Sequence, residues 1–271
     1  MNPLEPADIS NYLAKVSEPE RELLRLFRTS EVLTAFDIGS CEGEDSVRYA
    51  LRFPLGKVYA FEPLPANQEL VRANFSRHAV SNAELVPLAL SDRNGEAIFH
   101  VSSGRPKDEF AGKDWNYGNK SSSLLAPAQN DPMYGWVEFK DAITVHTETI
   151  DHFCSAHAID RIDFIHMDVQ GAEHLVLQGA HRMISNITAI WLEVSDQELY
   201  AGQKLRSDIE QFMRGHGFRL GFELRREIEG DQFYVNTHHR RVWPYLIRRS
   251  VQNGWWRLRS ALGRRKRNLF S

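Results

Sequence analysis

The sequence predicts an α/β fold in which a doubly wound, mostly parallel sheet ends in an antiparallel edge. Short buried strands alternate with helical stretches along most of the chain, which is the pattern of right-handed βαβ units. Acidic residues stand at the ends of several of these strands. With 271 residues, 42% hydrophobic and 25% charged, the chain is long enough for one large α/β domain with an appendage or for two small domains.

The first half of the chain begins with a helical pattern over residues 5–30 and continues with three strands separated by two helices. The strands are "EVLTAFDIG", "KVYAFEP" and "AELVPLAL", and the helices are Glu44–Arg52 and "PANQELVRANFSRH".

The middle of the chain departs from this alternation. Residues 103–136 have no regular period and are rich in glycine, serine, asparagine, proline and aromatic residues. They lie between two stretches of strand character, "GEAIFHVSSG" and "WVEFKDAITVHTETI". A loop of this length inside a compact domain is usually functional or disordered, and we expect it to cover a binding site for the substrate.

The alternation then returns and ends in an antiparallel pair. Helices are predicted for "ETIDHFCSAHAI", "GAEHLVLQGAHRMI" and "SDIEQFMRGHG", buried strands for "RIDFIHMD" and "ITAIWLEV", and the closing pair for "FRLGFEL" and "DQFYVN".

Several classes of protein are excluded at this stage. The N-terminus "MNPLEPADIS" has neither the basic start nor the apolar core of a signal peptide. No run approaches the roughly 18 apolar residues of a membrane-spanning helix. Cys41 and Cys154 have no metal-ligand spacing, so a reducing compartment is the default, and we expect a cytoplasmic protein.

The net charge of −3 conceals an asymmetry between the body and the C-terminal end. Residues 240–271 contain ten basic residues and no acidic residue, which leaves 23 basic and 36 acidic residues in the remainder. An acidic body therefore carries a basic tail, and the two parts should meet different partners.

The turn after the first strand, in "AFDIGSCEGEDS", is rich in both glycine and acid. Asp37 ends the strand, Gly39 and Gly43 allow a tight turn, and Glu44 and Asp45 begin the next helix. A dinucleotide site would need the pattern G-x-G-x-x-G and a helix N-terminus free for a pyrophosphate. Here acids already occupy the positions that attract anions, so the turn favours a cationic ligand.

S-adenosylmethionine fits this turn because it carries a sulfonium and an ammonium group and no phosphate. Its ribose hydroxyls need a carboxylate, and Glu62 ends the second strand in "AFEP", where that carboxylate is expected. The alternatives are an ordinary βα turn at Gly39 and a solvated strand terminus at Glu62.

These motifs resemble those of the FkbM family of S-adenosylmethionine-dependent methyltransferases. The matching segments, between residue 32 and about residue 220, are "FDIGSCEG", "FEPLPANQELVRAN", "LVPLALSD", "SSSL", "IDFIHMDVQGAEHLVLQGA" and "IWLEV". The resemblance implies a class I methyltransferase (Rossmann-like) fold and, in most members, O-methylation of sugars or other secondary-metabolite hydroxyls.

The resemblance also implies cofactor contacts at particular positions. They are Asp37, Gly39, Ser40, Gly43 and Glu62, with Ser91 and Asp92 near the adenine. Two positions depart from the family's K-x-D-x-E-G pattern, because His166 replaces its lysine and Gln170 replaces its glutamate. These departures concern proton transfer rather than cofactor binding.

The segment "HMDVQGAE" should lie at the carboxyl end of the fourth strand, the position that faces the methyl group in this fold. His166 and Asp168 are two residues apart, so a strand would place them on one face. Methyl transfer to a hydroxyl is an in-line displacement that needs a group to accept the proton, and His166 is a natural base near neutral pH. Asp168 would orient it, bind a substrate hydroxyl or hold a divalent cation.

Structural interpretations of the same residues stay open. His166 is equally expected as a hydrogen-bonded core histidine, and Glu173 as a favourable charge at a helix N-terminus. Glu193, which ends the fifth strand, is a second candidate on the acceptor side. No spacing rule selects a metal site from His166, Asp168 and Glu193, and we predict none.

The long loop contains aromatic residues that include Trp115, Tyr117, Tyr134 and Trp136. Flat aromatic faces suit sugar rings, so we take Trp115 and Tyr117, together with Glu193, as candidate acceptor contacts. The alternative is that these aromatic side chains only hold the loop against the core.

The chain divides into a helical N-terminal segment (1–31), a methyltransferase domain (32–237) and a basic, tryptophan-rich tail (238–271). On a helix, five apolar residues of the tail would form one stripe: Ile247, Val251, Trp255, Leu258 and Leu262. A basic amphipathic helix with tryptophan is typical of peripheral contact with an anionic membrane, which would suit a lipid-linked acceptor at the inner leaflet. Packing of the stripe on the protein's own body is the alternative.

Three functions compete on this evidence. The leading hypothesis is a methyltransferase that acts on a hydroxyl of a small molecule or glycan. The second is an RNA methyltransferase whose basic tail holds phosphates, although the acidic body makes nucleic acid an unfavourable partner. The third is a non-catalytic cofactor-binding protein with a docking tail.

Overall fold

The computed structural model describes residues 7–107, 116–128 and 135–251, and its main sheet has seven strands. Their order across the sheet is β3-β2-β1-β7-β8-β10-β9. The strands from β3 to β8 pair in parallel, whereas β10 is antiparallel to both β8 and β9. The bounds are β1 Thr34–Ile38, β2 Lys57–Phe61, β3 Ala83–Val86, β7 Ile162–Met167, β8 Ile187–Ser195, β9 Phe218–Arg225 and β10 Glu229–Asn236. The predicted parallel sheet with an antiparallel edge is confirmed.

Helices cover both faces of this sheet. They are α1 Ser10–Leu13, α2 Glu18–Leu26, α3 Glu44–Arg52, α4 Pro65–Arg77, α5 Ile150–Ala156, α6 Glu173–Gln178 and α7 Arg206–Gly215, with a 3₁₀ turn at Met183–Asn186 and a last helix, α8, described over 242–251. The helical pattern predicted over 5–30 is interrupted, because Ser17 caps α2 by accepting the Glu20 amide at 3.3 Å and Pro19 stands in its first turn.

The predicted third strand, "AELVPLAL", is in fact two strands in two sheets. Pro87, which has no amide proton, separates β3 from β4 (Ala89–Leu90). Strand β4 joins β5 (Gly95–Ser103) and β6 (Glu138–Glu148) in a small sheet of order β4-β6-β5. This small sheet carries the long loop that follows β5.

Two hydrophobic clusters fill the two faces of the main sheet. Along β7, Ile165 belongs to the cluster with α5, α6 and α7, and Phe164 belongs to the cluster with α2, α3 and α8. Because strand side chains alternate between faces, His166 shares the second face with Phe164. Asp37 lies beside His166 in the parallel register of β1 and β7, so both side chains lie on the α3 side.

The two ends of the described chain pack together on this same face. Tyr245 of α8 is buried and donates its hydroxyl hydrogen bond to Glu22 of α2 at 2.6 Å, while Arg249 also pairs with Glu22 and Arg241 pairs with Glu31 at 2.6 Å. The division at residues 31 and 237 stays a prediction, and α2 and α8 share one apolar cluster with the domain between them. No helix in 7–107, 116–128 or 135–251 is long and apolar enough to cross a membrane.

Candidate active site

Two turns meet where the adjacent strands β1 and β7 end. We call residues 39–43 the β1 turn and residues 168–172 the β7 turn. Gly39 has a φ of 82°, and a Cβ atom there would lie 2.0 Å from the backbone oxygen of Asp168. The Asp168 amide donates to the carbonyl of Ile38 at 3.0 Å. Only glycine allows this close approach, so the two turns form one continuous surface at the carboxyl edge of the sheet.

A narrow cavity of about 50 Å³ opens on this surface. Its lining is mostly apolar, with polar groups from the two turns and from the loop after β5. The lining residues are Ile38, Gly39, Phe61, Pro63, Leu88, Ala89, Leu90, Phe99, Asn119, Lys120, Ser122, Leu124, Asp168, Val169 and Gln170. This is the position at which open α/β sheets bind ligands.

The described middle part of the long loop, residues 116–128, contributes four of these lining residues, and we call it the strap. The strap is fastened to the small sheet, because Ser102 donates its hydroxyl hydrogen bond to the Gly118 carbonyl at 2.7 Å. It is also fastened beyond the cavity, because Tyr200 donates to the Ser121 carbonyl at 2.8 Å. The strap is thus held at both sides of the cavity.

The strap places a lysine among the acids of the β1 turn. The Lys120 ammonium lies 2.8 Å from Glu44 and 3.6 Å from Glu42. Burial raises the pKa of Glu44, and Lys120 opposes this effect. Burial would lower the pKa of Lys120, but nearby Cys41 and Glu44 raise it, so the ammonium stays charged. Sequence reasoning missed Lys120, although it directly precedes the motif "SSSL".

Glu62 connects the β1 turn to the start of α4. One of its carboxylate oxygens accepts the Cys41 amide and the other accepts the Leu64 amide, each at 2.8 Å. Burial raises the pKa of Glu62 to about 8, against the opposing effect of these backbone hydrogen bonds. Each oxygen keeps a further lone pair for a ligand hydroxyl, so the predicted ribose contact fits the geometry.

Two buried polar atoms near the cavity have no hydrogen-bond partner among the described residues. They are the hydroxyl of Ser40 in the β1 turn and the side-chain oxygen of Asn119 in the strap. A buried polar atom without a partner costs about 1–3 kcal/mol, so both atoms fit a site that is completed by a polar ligand.

The other predicted cofactor residues lie around the cavity rather than in its lining. Gly43 has a φ of 77° and caps α3, and a Cβ there would lie 3.1 Å from Val71, so it serves the packing of α3 on α4. The Ser91 hydroxyl donates to Asp92 at 3.1 Å. The segment that lines the cavity here is Leu88–Leu90, which directly precedes Ser91, and the placement of Ser91 and Asp92 near the adenine stays a prediction.

His166 lies in a buried polar network on the α3 side. Its Nδ1 is 3.2 Å from the Tyr49 hydroxyl and 3.6 and 3.7 Å from carboxylate oxygens of Asp37 and Asp45. Burial lowers the pKa of His166, but the charges of Asp45 and Asp37 outweigh this and raise it. Burial raises the pKa of Asp37, which also accepts a hydrogen bond from Ser46 at 2.5 Å. His166 is 14% exposed, so the network reaches solvent at one edge.

Asp168 and Glu193 are joined by Gln170. The Gln170 amide donates to Asp168 at 2.6 Å and to Glu193 at 3.3 Å. Arg226, in the connection between β9 and β10, lies 3.4 Å from Glu193 and 2.7 Å from Asp231. Burial raises the pKa of Glu193 well above its usual value, with further contributions from Asp168 and other nearby acids. These residues form a second polar patch at the ends of β7 and β8.

The predicted aromatic contacts are only partly described. Trp115 and Tyr134 lie outside the described residues. Tyr117 is half-buried and packs edge-on against Trp136, with ring centroids 6.1 Å apart, and Arg105 lies 5.9 Å from the ring centre of Tyr117. Its role in acceptor binding stays a prediction. No group of three or more histidine, cysteine, aspartate or glutamate side chains in the described part of the chain could hold a metal ion.

The strand order, the antiparallel β10 and the glycine-rich acidic turn after β1 together define the class I fold of S-adenosylmethionine-dependent methyltransferases. The family model for the methyltransferase FkbM domain matches residues 37–220. The 2-O-methyltransferase NoeI of Sinorhizobium fredii is 35% identical over 202 residues, which cover 74% of this chain and 78% of that protein. The chain therefore belongs to the FkbM methyltransferase family, and its methyl donor is S-adenosylmethionine.

More distant similarities extend to larger proteins and to solved structures. The AMB antimetabolite synthetase AmbE of Pseudomonas aeruginosa is 25% identical over 213 residues, and the match covers 73% of this chain but only 10% of that protein. An rRNA methylase from Streptococcus thermophilus superimposes with a TM-score of 0.46 at 11% identity, covering 82% of this chain and 98% of that one. Neither similarity bears on the substrate of this chain.

Proposed function

We propose that the protein transfers the methyl group of S-adenosylmethionine to a hydroxyl of a sugar or glycan. The observation that carries the proposal is the polar patch around Asp168 and Glu193, whose residues Asp168 and Gln170 line the cavity, together with the polar network around His166 on the same strand β7. Carboxylates and amides of this kind accept and donate the hydrogen bonds that orient sugar hydroxyls. The similarity to NoeI, which is named as a 2-O-methyltransferase, supports oxygen as the methylated atom.

His166 is the proposed general base. Methyl transfer from a sulfonium to a hydroxyl releases the hydroxyl proton, and a base must accept it. The acidic surroundings favour a proton on Nδ1, which lies 3.2 Å from the Tyr49 hydroxyl, so Nδ1 donates to Tyr49 and the other ring nitrogen is left to accept the substrate proton. Asp37 and Asp45 then stabilise the imidazolium that forms.

Asp168, Gln170 and Glu193 are proposed to bind and orient the acceptor. Asp168 lines the cavity and also belongs to the second polar patch, so it stands between the two substrates. Glu193, whose pKa burial raises, is proposed to contact a hydroxyl of the acceptor beside the amide of Gln170. The patch is rich in acids, which would repel phosphates, and this argues against an RNA substrate.

The test is methyl transfer by the purified full chain to a panel of acceptors. Neutral and lipid-linked oligosaccharides, small hydroxylated metabolites and RNA would each be incubated with S-adenosylmethionine, and both S-adenosylhomocysteine and the methylated product would be measured by mass spectrometry. We expect turnover with a sugar hydroxyl. Methylation confined to RNA, or cofactor binding without turnover on any acceptor, would contradict the proposal.

We further propose that the tail contacts an anionic membrane at its cytoplasmic leaflet. One side of α8 packs on the body through Val242 and Tyr245. The opposite side presents Trp243, Ile247 and Val251, at 45%, 61% and 52% exposure and at spacings of four residues. The exposure of Ile247 and Val251 supports the membrane hypothesis over packing on the body. Trp255, Leu258 and Leu262, the rest of the predicted stripe, lie outside the described residues.

Vesicle co-sedimentation tests this part of the proposal. One variant deletes the end of the tail from residue 252 onwards. A longer deletion, of everything after His239, would also remove Val242 and Tyr245, which are buried against the body. A second variant would replace Trp243, Ile247 and Val251 with serine. We expect the wild type to bind vesicles of phosphatidylglycerol and phosphatidylcholine but not of phosphatidylcholine alone, and both variants to lose binding.

The matched control replaces Leu51 and Leu55, which are also exposed apolar residues, with serine. Binding should fall with salt, because each basic residue near an anionic surface contributes about 1 kcal/mol. Equal binding by the wild type, both tail variants and the control would overturn the proposed membrane contact. The proposal of methyl transfer to a sugar hydroxyl would still stand.

A further inference from the structure

The cavity at the β1 and β7 turns, in which S-adenosylmethionine is proposed to bind, contains one cation that the known features of the fold do not explain. Among the described residues that line the cavity, Lys120 is the only one with a positive charge. It comes from the strap, 76 residues along the chain from Glu44, its nearest carboxylate at 2.8 Å. The lysine is therefore brought to the β1 turn by the fold and not by the local sequence.

The charges of S-adenosylmethionine explain why a cation is needed here. The sulfonium and the ammonium group favour an acidic turn, but the same molecule also carries a carboxylate. Beside Glu42 and Glu44 alone, that carboxylate would be repelled, because like charges at close range cost several kcal/mol in a partly buried site. A lysine that shares these two acids removes the repulsion and offers a direct partner for a third carboxylate.

Asn119, the residue before Lys120, is arranged to complement this role. Its amide nitrogen donates to Asn67 at 2.9 Å and to Glu42 at 3.3 Å. Because a carboxylate only accepts, the contact with Glu42 assigns the nitrogen and the oxygen of the Asn119 amide. The Asn119 oxygen is buried and has no hydrogen-bond partner among the described residues, and Asn119 lines the same cavity as Lys120.

We propose that the strap binds the amino-acid end of the cofactor. Lys120 binds the carboxylate, and the side-chain oxygen of Asn119 accepts a hydrogen bond from the ammonium group. This inference rests on the cofactor site proposed at the two turns. It assigns to the strap a binding function that is separate from covering the acceptor. The competing explanation is that Lys120 only fastens the strap to the β1 turn through Glu44.

The two explanations differ in which part of the ligand matters. 5′-Methylthioadenosine has the adenosine and the sulfur of the cofactor but lacks the amino acid. Decarboxylated S-adenosylmethionine lacks only the carboxylate. Isothermal titration of these two ligands and of S-adenosylmethionine would be carried out with the wild type, with Lys120→Met and with Lys120→Arg. Lys57→Met is the matched control, because Lys57 also pairs with a glutamate, at 2.8 Å, but at the start of β2.

We expect Lys120→Met to weaken S-adenosylmethionine binding about tenfold or more, the loss typical of a hydrogen bond between charged groups. Its affinity for 5′-methylthioadenosine should stay at the wild-type value, which would also prove that the variant is folded. Removing the carboxylate from the ligand should weaken binding to the wild type and not to Lys120→Met, because the interaction is then already absent. Lys120→Arg should keep most of the affinity.

An equal loss for all three ligands would overturn the inference and make Lys120 a fastening residue of the strap. Unchanged binding of S-adenosylmethionine by Lys120→Met would overturn it as well. Either result would leave the cofactor site at the two turns standing. A wild type that bound none of the three ligands would overturn the cofactor site itself, and the inference with it.

Discussion

The β1 turn and the β7 turn are built in the same way but carry different charge environments. Each follows a buried parallel strand, each passes through left-handed backbone, at Gly39 (φ 82°) and Gln170 (φ 53°), and each leads to a glutamate that begins a helix. Glu44 accepts the Glu42 amide at 3.2 Å, and Glu173 accepts the Gly171 amide at 3.2 Å. In both turns, a backbone amide donates a hydrogen bond to the carboxylate that begins the next helix, and this hydrogen bond fixes the tight turn.

The difference lies in what surrounds the two glutamates. The charge with the largest effect on the pKa of Glu44 is that of Lys120, which lies 2.8 Å away, whereas the charge with the largest effect on the pKa of Glu173 is that of an acid, Asp168. Burial raises the pKa of Glu173 to about 7. The charges at the β1 turn therefore suit the proposed ligand, which carries charges of both signs. We propose that the β7 turn serves a neutral acceptor.

The largest effect on turnover is expected from replacing His166, on the acceptor side of the site. His166→Ala should reduce turnover about 10²–10⁴-fold, the usual contribution of a general base, with little change in S-adenosylmethionine affinity. Single-turnover kinetics and isothermal titration would measure the two quantities. The matched control is His152→Ala, an exposed histidine that also lies beside a carboxylate, Glu148. Full turnover by a folded His166→Ala variant would make His166 a structural residue.

The pH dependence of turnover gives an independent test of the same role. A base must be neutral to accept a proton, so kcat/KM should rise with pH through the pKa of His166, which Asp45 and Asp37 raise above 6.5. Asp45→Asn removes one of these charges and should move the rising limb to lower pH. A rising limb that stays in place in Asp45→Asn would argue against His166 as the titrating group.

Some residues of the candidate site could be predicted from the sequence and others could not. The strand ends carrying Asp37, Glu62 and His166 could be predicted, because period and turn residues are local signals. Lys120 could not, since its contact with Glu44 spans 76 residues and no local pattern encodes it. The contact of Arg249 with Glu22 spans 227 residues and was missed for the same reason.

The third prediction concerns the close approach of the two turns at Gly39. In Gly39→Ala, the added Cβ would meet the Asp168 backbone oxygen at 2.0 Å, and a non-glycine residue in left-handed backbone itself costs about 1–2 kcal/mol. Because a backbone atom cannot swing away as a side chain can, we expect a loss of several kcal/mol in the free energy of unfolding, comparable with other severe single substitutions. Urea denaturation measures it.

Gly95→Ala is the control for Gly39→Ala, because Gly95 also has positive φ, at 136°, but a Cβ atom added there would have no neighbouring atom within 4 Å. It should suffer the backbone strain without the clash. Equal losses in the two variants would show that the approach of the two turns contributes nothing beyond backbone conformation.

The fourth prediction concerns the cofactor side alone. Glu62→Ala removes a carboxylate that accepts the amides of Cys41 and Leu64 and is proposed to bind the ribose. Affinity for S-adenosylmethionine should fall about tenfold, because each of the two hydrogen bonds to the ribose contributes about 0.5–1.5 kcal/mol. Glu84→Ala, at an exposed acid on β3, is the control. Calorimetry that finds unchanged affinity would remove Glu62 from the cofactor site.

The smallest effect tests the protonation of the β7 turn. Burial raises the pKa of Glu173 from its usual 4.5 to about 7, so between these values the folded protein binds a proton that the unfolded chain has released. Stability from this group is therefore greatest at low pH and is lost as pH rises towards 7. The slope cannot exceed about 1.4 kcal/mol per pH unit for one proton. Glu173→Gln keeps an acceptor oxygen for the Gly171 amide and does not titrate, so its free energy of unfolding should fall less steeply than that of the wild type between pH 5 and pH 7. Parallel curves for the two proteins, measured by urea denaturation across this range, would mean that Glu173 is ionised throughout and that the two turns do not differ in the way proposed.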